Sequence, residues 1–131
     1  MSEKAVLEKA VFRKLECVCV QTADVDASLK FYLRLGLTES WRIRRALDHG
    51  GAWTLVGLRF PDPQSSELVL SDHPDRRGTE VEILVDDVNA AFAALSADAS
   101  VNWIEPPFAT ESGHVAVMQA PDGNIFVLVG G

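Results

Sequence analysis

The chain has 131 residues, of which 47% are hydrophobic and 24% are charged, and its formal net charge is −7 at pH 7. These values fit one globular domain, or two small modules that share a core. The negative charge argues against nucleic-acid binding, because no basic stripe offsets it. No segment is apolar over the length that a membrane span needs. The first residues, MSEKAVLEKAVFRK, lack the apolar core of a signal peptide, so we expect a cytoplasmic protein.

Two cysteines, Cys17 and Cys19, stand close together in an apolar segment. Their spacing is too short for an ordinary disulfide, and we interpret both as small buried side chains. A CxC pair can also bind a soft metal, but the sequence contains no second Cys or His cluster that would complete such a site.

The first half of the chain predicts the order β-α-β-β-β, after an N-terminal arm or short helix over residues 1–12. Asp24 is the residue type preferred at a helix N-cap, and Gly36 the type preferred after the last turn. The apolar stripe of this helix is formed by Val25, Leu29, Tyr32 and Leu33. The predicted strands are segments 15–22, 37–45, 52–60 and 67–72.

The second half repeats this order, with Asp87 as the N-cap of an Ala-rich helix. The predicted strands lie within 78–87, 101–106, 113–120 and 124–130. Pro106 and Pro107 interrupt the pattern, and we expect segment 104–113 to be a loop at a cleft edge that can close over a ligand.

The two halves align at a constant offset of 63 residues, which places Asp24 on Asp87. The same strand, cap and helix follow in each half. The sequence therefore predicts one α+β domain over residues 13–131, made of tandem βαβββ modules at 13–72 and 78–131.

Three segments in order, TADVDASLKFYLRLGL, VEILVDDVNAAFAAL and APDGNIFVLV, resemble the vicinal oxygen chelate superfamily of glyoxalases, bleomycin-resistance proteins and extradiol dioxygenases. The resemblance implies the glyoxalase/bleomycin-resistance/dioxygenase fold, in which the modules curl a mixed sheet around a cleft. It also implies a homodimer. Ala120 departs from the family pattern, which has Asp before Pro-Asp-Gly.

The resemblance further implies that metal-dependent members hold one divalent ion with inward side chains from the first and last strands of each module. Carried over by position, those places hold Cys17, Glu67, Glu80 and Val127. Hard divalent ions prefer imidazole and carboxylate ligands, whereas this set has no histidine and one hydrocarbon side chain. We therefore expect no catalytic metal and no other cofactor, with a divalent metal ion as the alternative.

Alternation along the strand puts Glu82 on the same face as Glu80. Such glutamates are either solvated at strand ends, or bind a cationic or hydroxylated ligand, or pair with Arg42 or Arg44. A buried Glu80 without a partner would act as a general base, which makes it the candidate catalytic residue.

The candidate ligand cleft combines these polar positions with aromatic side chains, which suit the stacking of planar ligands. Core packing is the alternative interpretation for each aromatic residue, and a surface position for His114. The predicted cleft residues are Cys17, Cys19, Trp41, Trp53, Glu67, Glu80, Glu82, Trp103, Phe108 and His114.

Two classes of function follow. The first is a glyoxalase/bleomycin-resistance-like protein that binds a small organic molecule in an aromatic-lined cleft without a conventional metal. The second is an enzyme, which is either a divalent-metal-dependent lyase, isomerase or dioxygenase, or a metal-free isomerase that uses Glu80 as its base. The sequence leaves open whether the chain is an enzyme, and metal content separates the two classes.

Overall fold

The computed structural model describes residues 10–131. The elements in chain order are β1 (Lys14–Gln21), α1 (Val25–Arg34), β2 (Thr38–Ala46), β3 (Ala52–Arg59), β4 (Glu67–Ser71), β5 (Glu80–Leu84), α2 (Val88–Leu95), β6 (Asn102–Thr110), β7 (Gly113–Gln119) and β8 (Ile125–Gly130). The order β-α-β-β-β occurs twice, which confirms the α+β class and the tandem modules. Most of the arm or short helix predicted over 1–12 lies outside the described residues.

The chain forms two compact units, which we call the first unit (residues 17–80) and the second unit (residues 81–131 with 10–16). Residues 10–16 accompany the second half because of contacts that the sequence pattern does not reveal. The Arg13 N–H donates to the Leu84 carbonyl at 2.7 Å. The ring of Phe12 meets Phe126 edge-on, with centroids 5.7 Å apart.

The first unit contains a mixed sheet in the order β2-β3-β4-β1. β1 runs parallel to β4, whereas β2, β3 and β4 pair antiparallel. One face packs under α1, where Val25 and Tyr32 meet Leu58 and other apolar strand residues. The opposite face holds a second apolar cluster, formed by Cys17, Cys19, Trp53, Leu55 and Val69. This opposite face therefore carries several of the predicted cleft residues.

The second unit contains a mixed sheet in the order β5-β8-β7-β6, in which β5 and β8 are parallel. α2 covers one face, and its Val88 and Ala91 pack with Ile83, Met118 and Leu128 of the strands. The two units thus repeat one arrangement of strands and helix. Within residues 10–131, no helix is long and apolar enough to cross a membrane.

Both predicted helix caps are confirmed, and they have matching geometry. Asp24 Oδ1 accepts from the Ala27 N–H at 3.0 Å, and Asp87 Oδ1 accepts from the Ala90 N–H at 3.0 Å. Gly36 follows the end of α1 with φ of +104°, a conformation in which glycine is favoured. The strand-to-helix transition is therefore the same in both modules.

Two sequence predictions are wrong in detail. Leu33 is 43% exposed and lies outside the core, because it follows Tyr32 and is rotated about 100° further round the helix. Segment 104–113 is not a loop, because β6 continues through Pro106 and Pro107 to Thr110. Prolines are tolerated there since β6 is an edge strand of its unit and its pairing with β7 contains register shifts.

Candidate functional site

Two of the four positions carried over from metal-dependent members lie where β1 and β4 run side by side. Cys17 and Glu67 are direct partners in this parallel pairing, so both side chains lie on the face away from α1. Cys17 is 4% exposed and packs with Cys19 and Trp53. Neither cysteine forms a disulfide and both are buried, as the sequence predicted.

Glu67 is held by a tryptophan. Trp41 Nε1 donates a hydrogen bond to Glu67 Oε1 at 2.7 Å. Trp41 reaches this position by lying across Gly57, its partner in β3, and a Cβ on Gly57 would overlap the indole atoms Cε2 and Nε1. The close approach therefore depends on glycine at this position. It produces an aromatic plane whose polar edge is bonded to a carboxylate.

Basic side chains surround Trp53, which is 6% exposed. The Cζ atom of Arg76 lies 4.8 Å from the Trp53 ring centroid, and that of Arg45 lies 5.6 Å away. The imidazole of His73 meets the indole edge-on, with centroids 4.8 Å apart. The ring that the sequence assigned to ligand stacking is thus covered by two arginines and an imidazole of the same unit.

Glu80 has a cationic partner. Arg76 Nη1 lies 3.8 Å from Glu80 Oε1, and the two side chains are 42% and 31% exposed. So exposed a pair contributes about 0–1 kcal/mol to stability, yet it balances the glutamate charge locally. The premise that Glu80 is buried without a partner therefore does not hold, while its role as a base stays a prediction.

The arginines of β2 contact groups other than the predicted cleft glutamates. Arg42 lies 3.2 Å from Glu39 and 4.0 Å from Asp26. The hydrogen bond that Arg42 donates to Glu39 is the main cause that raises the pKa of Arg42 above its usual value. Arg44 Nη1 donates to Thr54 Oγ1 at 3.2 Å. The predicted pairing of cleft glutamates with Arg42 or Arg44 is absent from these contacts.

In the second unit, a row of residues crosses the sheet face away from α2. Glu82 is the partner of Val127, Val127 of Val117, and Val117 of Glu105. Partners in adjacent strands project to the same face, so two valines separate two carboxylates. Sequence analysis did not single out Glu105, because it lies where the predicted strand 101–106 overlaps the predicted loop 104–113.

The predicted cleft residues of β6 and β7 do not all lie on one face of the sheet; they are Trp103, Phe108 and His114. Trp103 packs toward α2, and its ring meets Phe92 with centroids 4.7 Å apart. Phe108 is 44% exposed and is the partner of Val115, on the face away from α2. His114 precedes Val115 in β7, so alternation places it on the side of α2. Core packing, the alternative interpretation, thus describes Trp103.

The four positions at which metal-dependent members bind an ion can be tested on their donor atoms. Glu67 and Glu80 are the two positions with hard oxygen donors, and each has one oxygen engaged, by the Trp41 indole and by Arg76 respectively. Cys17 is 4% exposed, and Val127 has no donor atom. No three His, Cys, Asp or Glu side chains within residues 10–131 are grouped to hold a metal ion. These residues do not fit a divalent ion bound by imidazole and carboxylate.

Comparison with known proteins identifies the fold. A profile of the Glyoxalase/Bleomycin resistance protein/Dioxygenase superfamily matches residues 14–128. No curated protein matches the sequence significantly. Methylmalonyl-CoA epimerase from Mycobacterium tuberculosis is similar with a TM-score of 0.72 at 18% identity, covering 98% of this chain and 95% of that chain.

Two further solved structures share the fold. A variant of Streptomyces coelicolor methylmalonyl-CoA epimerase in complex with 2-nitronate-propionyl-CoA has a TM-score of 0.68 at 20% identity, covering 92% of this chain and 95% of that chain. A mutant of 4-hydroxymandelate synthase from Streptomyces coelicolor has a TM-score of 0.59 at 13% identity, covering 98% of this chain and 52% of that chain. At these identities the likeness shows the fold, and the resemblance seen in the sequence is confirmed.

Proposed function

We propose that this chain, which belongs to the glyoxalase/bleomycin resistance protein/dioxygenase superfamily, binds a small organic molecule without a conventional catalytic metal. The proposed contact surface is the aromatic face of the first unit, where Trp41 and Trp53 lie. The homodimer and the cytoplasmic location expected from the sequence belong to the same proposal.

The observation that carries the proposal is the hydrogen bond from Trp41 to Glu67. Oε1 of Glu67 accepts this N–H at 2.7 Å, so the carboxylate is fixed at the edge of the indole ring. An apolar ring with a bonded polar edge is the usual composition of a small-molecule site. The contact therefore supports ligand binding at this face, while Val127, which has no donor atom, argues against metal catalysis.

The second unit supplies independent support. Glu82 and Glu105 lie three strands apart in their row, which corresponds to roughly 14 Å between backbones at about 4.8 Å per strand. Ligands of one hard cation lie about 2.0–2.6 Å from it, so two side chains at that separation do not share an ion without a large bend. Val127 and Val117 between them offer only hydrocarbon.

Metal analysis of the purified protein tests the proposal most directly. We expect well under one equivalent of Mn, Fe, Ni, Zn or Mg per chain, and no rise in melting temperature on adding Mn²⁺ or Ni²⁺. Planar aromatic compounds are expected to raise the melting temperature, because a ligand that binds only the folded state stabilises it. The shift should shrink in Trp41→Ala, which removes the ring from the proposed surface.

The alternatives predict different outcomes. One stoichiometric metal ion that is lost in Glu80→Gln, but retained in the matched variant Glu105→Gln, would overturn the proposal in favour of a metal-dependent enzyme. Isomerase activity without metal that disappears in Glu80→Gln would identify Glu80 as a base. Both variants replace a carboxylate with a side chain of the same shape, so they separate charge from packing.

A further inference from the structure

One arginine of the first unit, Arg76, contacts both an indole ring and a carboxylate, while Arg45 lies farther from the same ring, with Cζ 5.6 Å from its centroid. Arg76 places Cζ 4.8 Å from the Trp53 ring centroid and Nη1 3.8 Å from Glu80 Oε1. An indole face and a carboxylate are the two partners that recognise a flat organic cation, one through the ring quadrupole and the other through charge. Arg76 is itself such a cation, since its guanidinium is planar and permanently charged.

The side chain of Arg76 can leave without disturbing the backbone that carries it. It lies between β4 and β5 in a turn fixed by other contacts, because the Asp75 N–H donates to His73 Nδ1 at 3.2 Å and Arg77 Nη1 donates to the Pro74 carbonyl at 2.8 Å. The Arg76 side chain is 42% exposed. Its hold on the two partners is therefore weak and reversible, as for exposed ion pairs in general.

We propose that Trp53 and Glu80 form a subsite for a flat organic cation, and that Arg76 occupies this subsite in the free protein as an internal substitute for the ligand. A ligand carrying an amidinium, guanidinium or aromatic cation displaces the arginine and takes over both contacts. The net charge of −7 favours the approach of such a ligand over that of an anion. The inference rests on the proposed function, since it names the class of molecule that is bound.

Isothermal titration calorimetry with benzamidinium tests the subsite. The control ligand is benzamide, which is neutral and has nearly the same shape. Arg76→Ala removes the internal competitor and is expected to tighten benzamidinium binding roughly three- to tenfold, from the sum of a weak cation–π contact and an exposed ion pair. Benzamide affinity is expected to stay within about twofold, since it lacks the charge that Glu80 recognises.

The matched control is Arg77→Ala, which removes the same charge from the next position, where the guanidinium contacts only backbone carbonyls among its described hydrogen bonds. It is expected to change benzamidinium affinity less than about twofold, because exposed charges are screened. In the Arg76→Ala background, Glu80→Gln should weaken benzamidinium binding at least about threefold. Trp53→Phe should also weaken it, because indole is the stronger partner of a cation.

If Arg77→Ala and Arg76→Ala increased the affinity for benzamidinium equally, the inference would be overturned, because the change in net charge alone would then explain the increase. Equal affinity for benzamidinium and benzamide in Arg76→Ala would overturn it as well. If neutral planar compounds bind the metal-free protein while benzamidinium does not, the subsite is wrong and the proposed function stands. A stoichiometric catalytic metal instead removes the proposed function, whichever way the titration falls.

Discussion

Replacing Gly57 with alanine tests the close approach on which the candidate site is built. Gly57 lies within β3 and has no positive φ, so its backbone suits alanine. The added Cβ would overlap the Trp41 indole, which must then turn away and lose its hydrogen bond to Glu67. Overpacking costs about 1–3 kcal/mol and a hydrogen bond to a charged group about 1.5–3 kcal/mol, offset by about 0.5–1 kcal/mol from the loss of glycine flexibility.

Because Glu67 is only partly buried, we take the lower end of these ranges and expect Gly57→Ala to lower the free energy of unfolding by about 2 kcal/mol. In a Trp41→Ala background the clash is gone, so the same substitution should raise stability by about 0.5–1 kcal/mol. Urea unfolding followed by circular dichroism gives all four corners of this double-mutant cycle. Equal destabilisation in both backgrounds would refute the reasoning, since the cost would then arise from a neighbour other than Trp41.

The remaining predictions concern single contacts. Trp41→Phe keeps a ring but removes the donor to Glu67, and should lower the free energy of unfolding by about 1.5 kcal/mol in urea titrations. No change would show that water replaces the indole N–H. Val127→Glu restores the carboxylate of metal-dependent members, and titration calorimetry should show tighter Mn²⁺ binding by this variant than by the wild type. Equal binding by both proteins would show that residue 127 does not limit metal affinity. Asp24→Ala and Asp87→Ala each remove an N-cap and should each cost about 1 kcal/mol, additively, whereas a strong non-additive loss would contradict independent caps.

Local chemistry explains what the sequence predicted well. Asp24 and Asp87 each precede a segment with the apolar pattern of a helix. A carboxylate at that position accepts a hydrogen bond from an N–H group of the first helical turn, which has no partner within the helix. The alternation of apolar segments with turn residues predicted every strand of the described chain, with ends within a few residues of the observed ones. Helix caps and strand positions depend on residues that are neighbours in the sequence, so they can be predicted from a single sequence.

The candidate site was harder to predict because its contacts join residues distant in sequence. Trp41 and Glu67 are 26 residues apart, and their contact depends on a glycine in a third strand. The pairing of Arg76 with Glu80 could not be predicted for another reason: Arg76 lies in a turn, where strand alternation does not tell which way a side chain points. Register and loop geometry decide such contacts, and neither follows from local pattern.

Comparison of the two units shows where the duplicated module has diverged. The row across the first sheet is Cys19, Val69, Gly57 and Trp41. The row at the same place across the second sheet is Glu82, Val127, Val117 and Glu105. Cys19 and Glu82 are also related by the offset of 63 residues that relates the two N-caps. The two units thus share backbone register and caps, but this row ends in a cysteine and a tryptophan in the first unit and in a glutamate at each end in the second. This row distinguishes the two units chemically, because Gly57 in one makes room for the Trp41 indole that bonds Glu67, whereas Val127 and Val117 in the other separate two carboxylates.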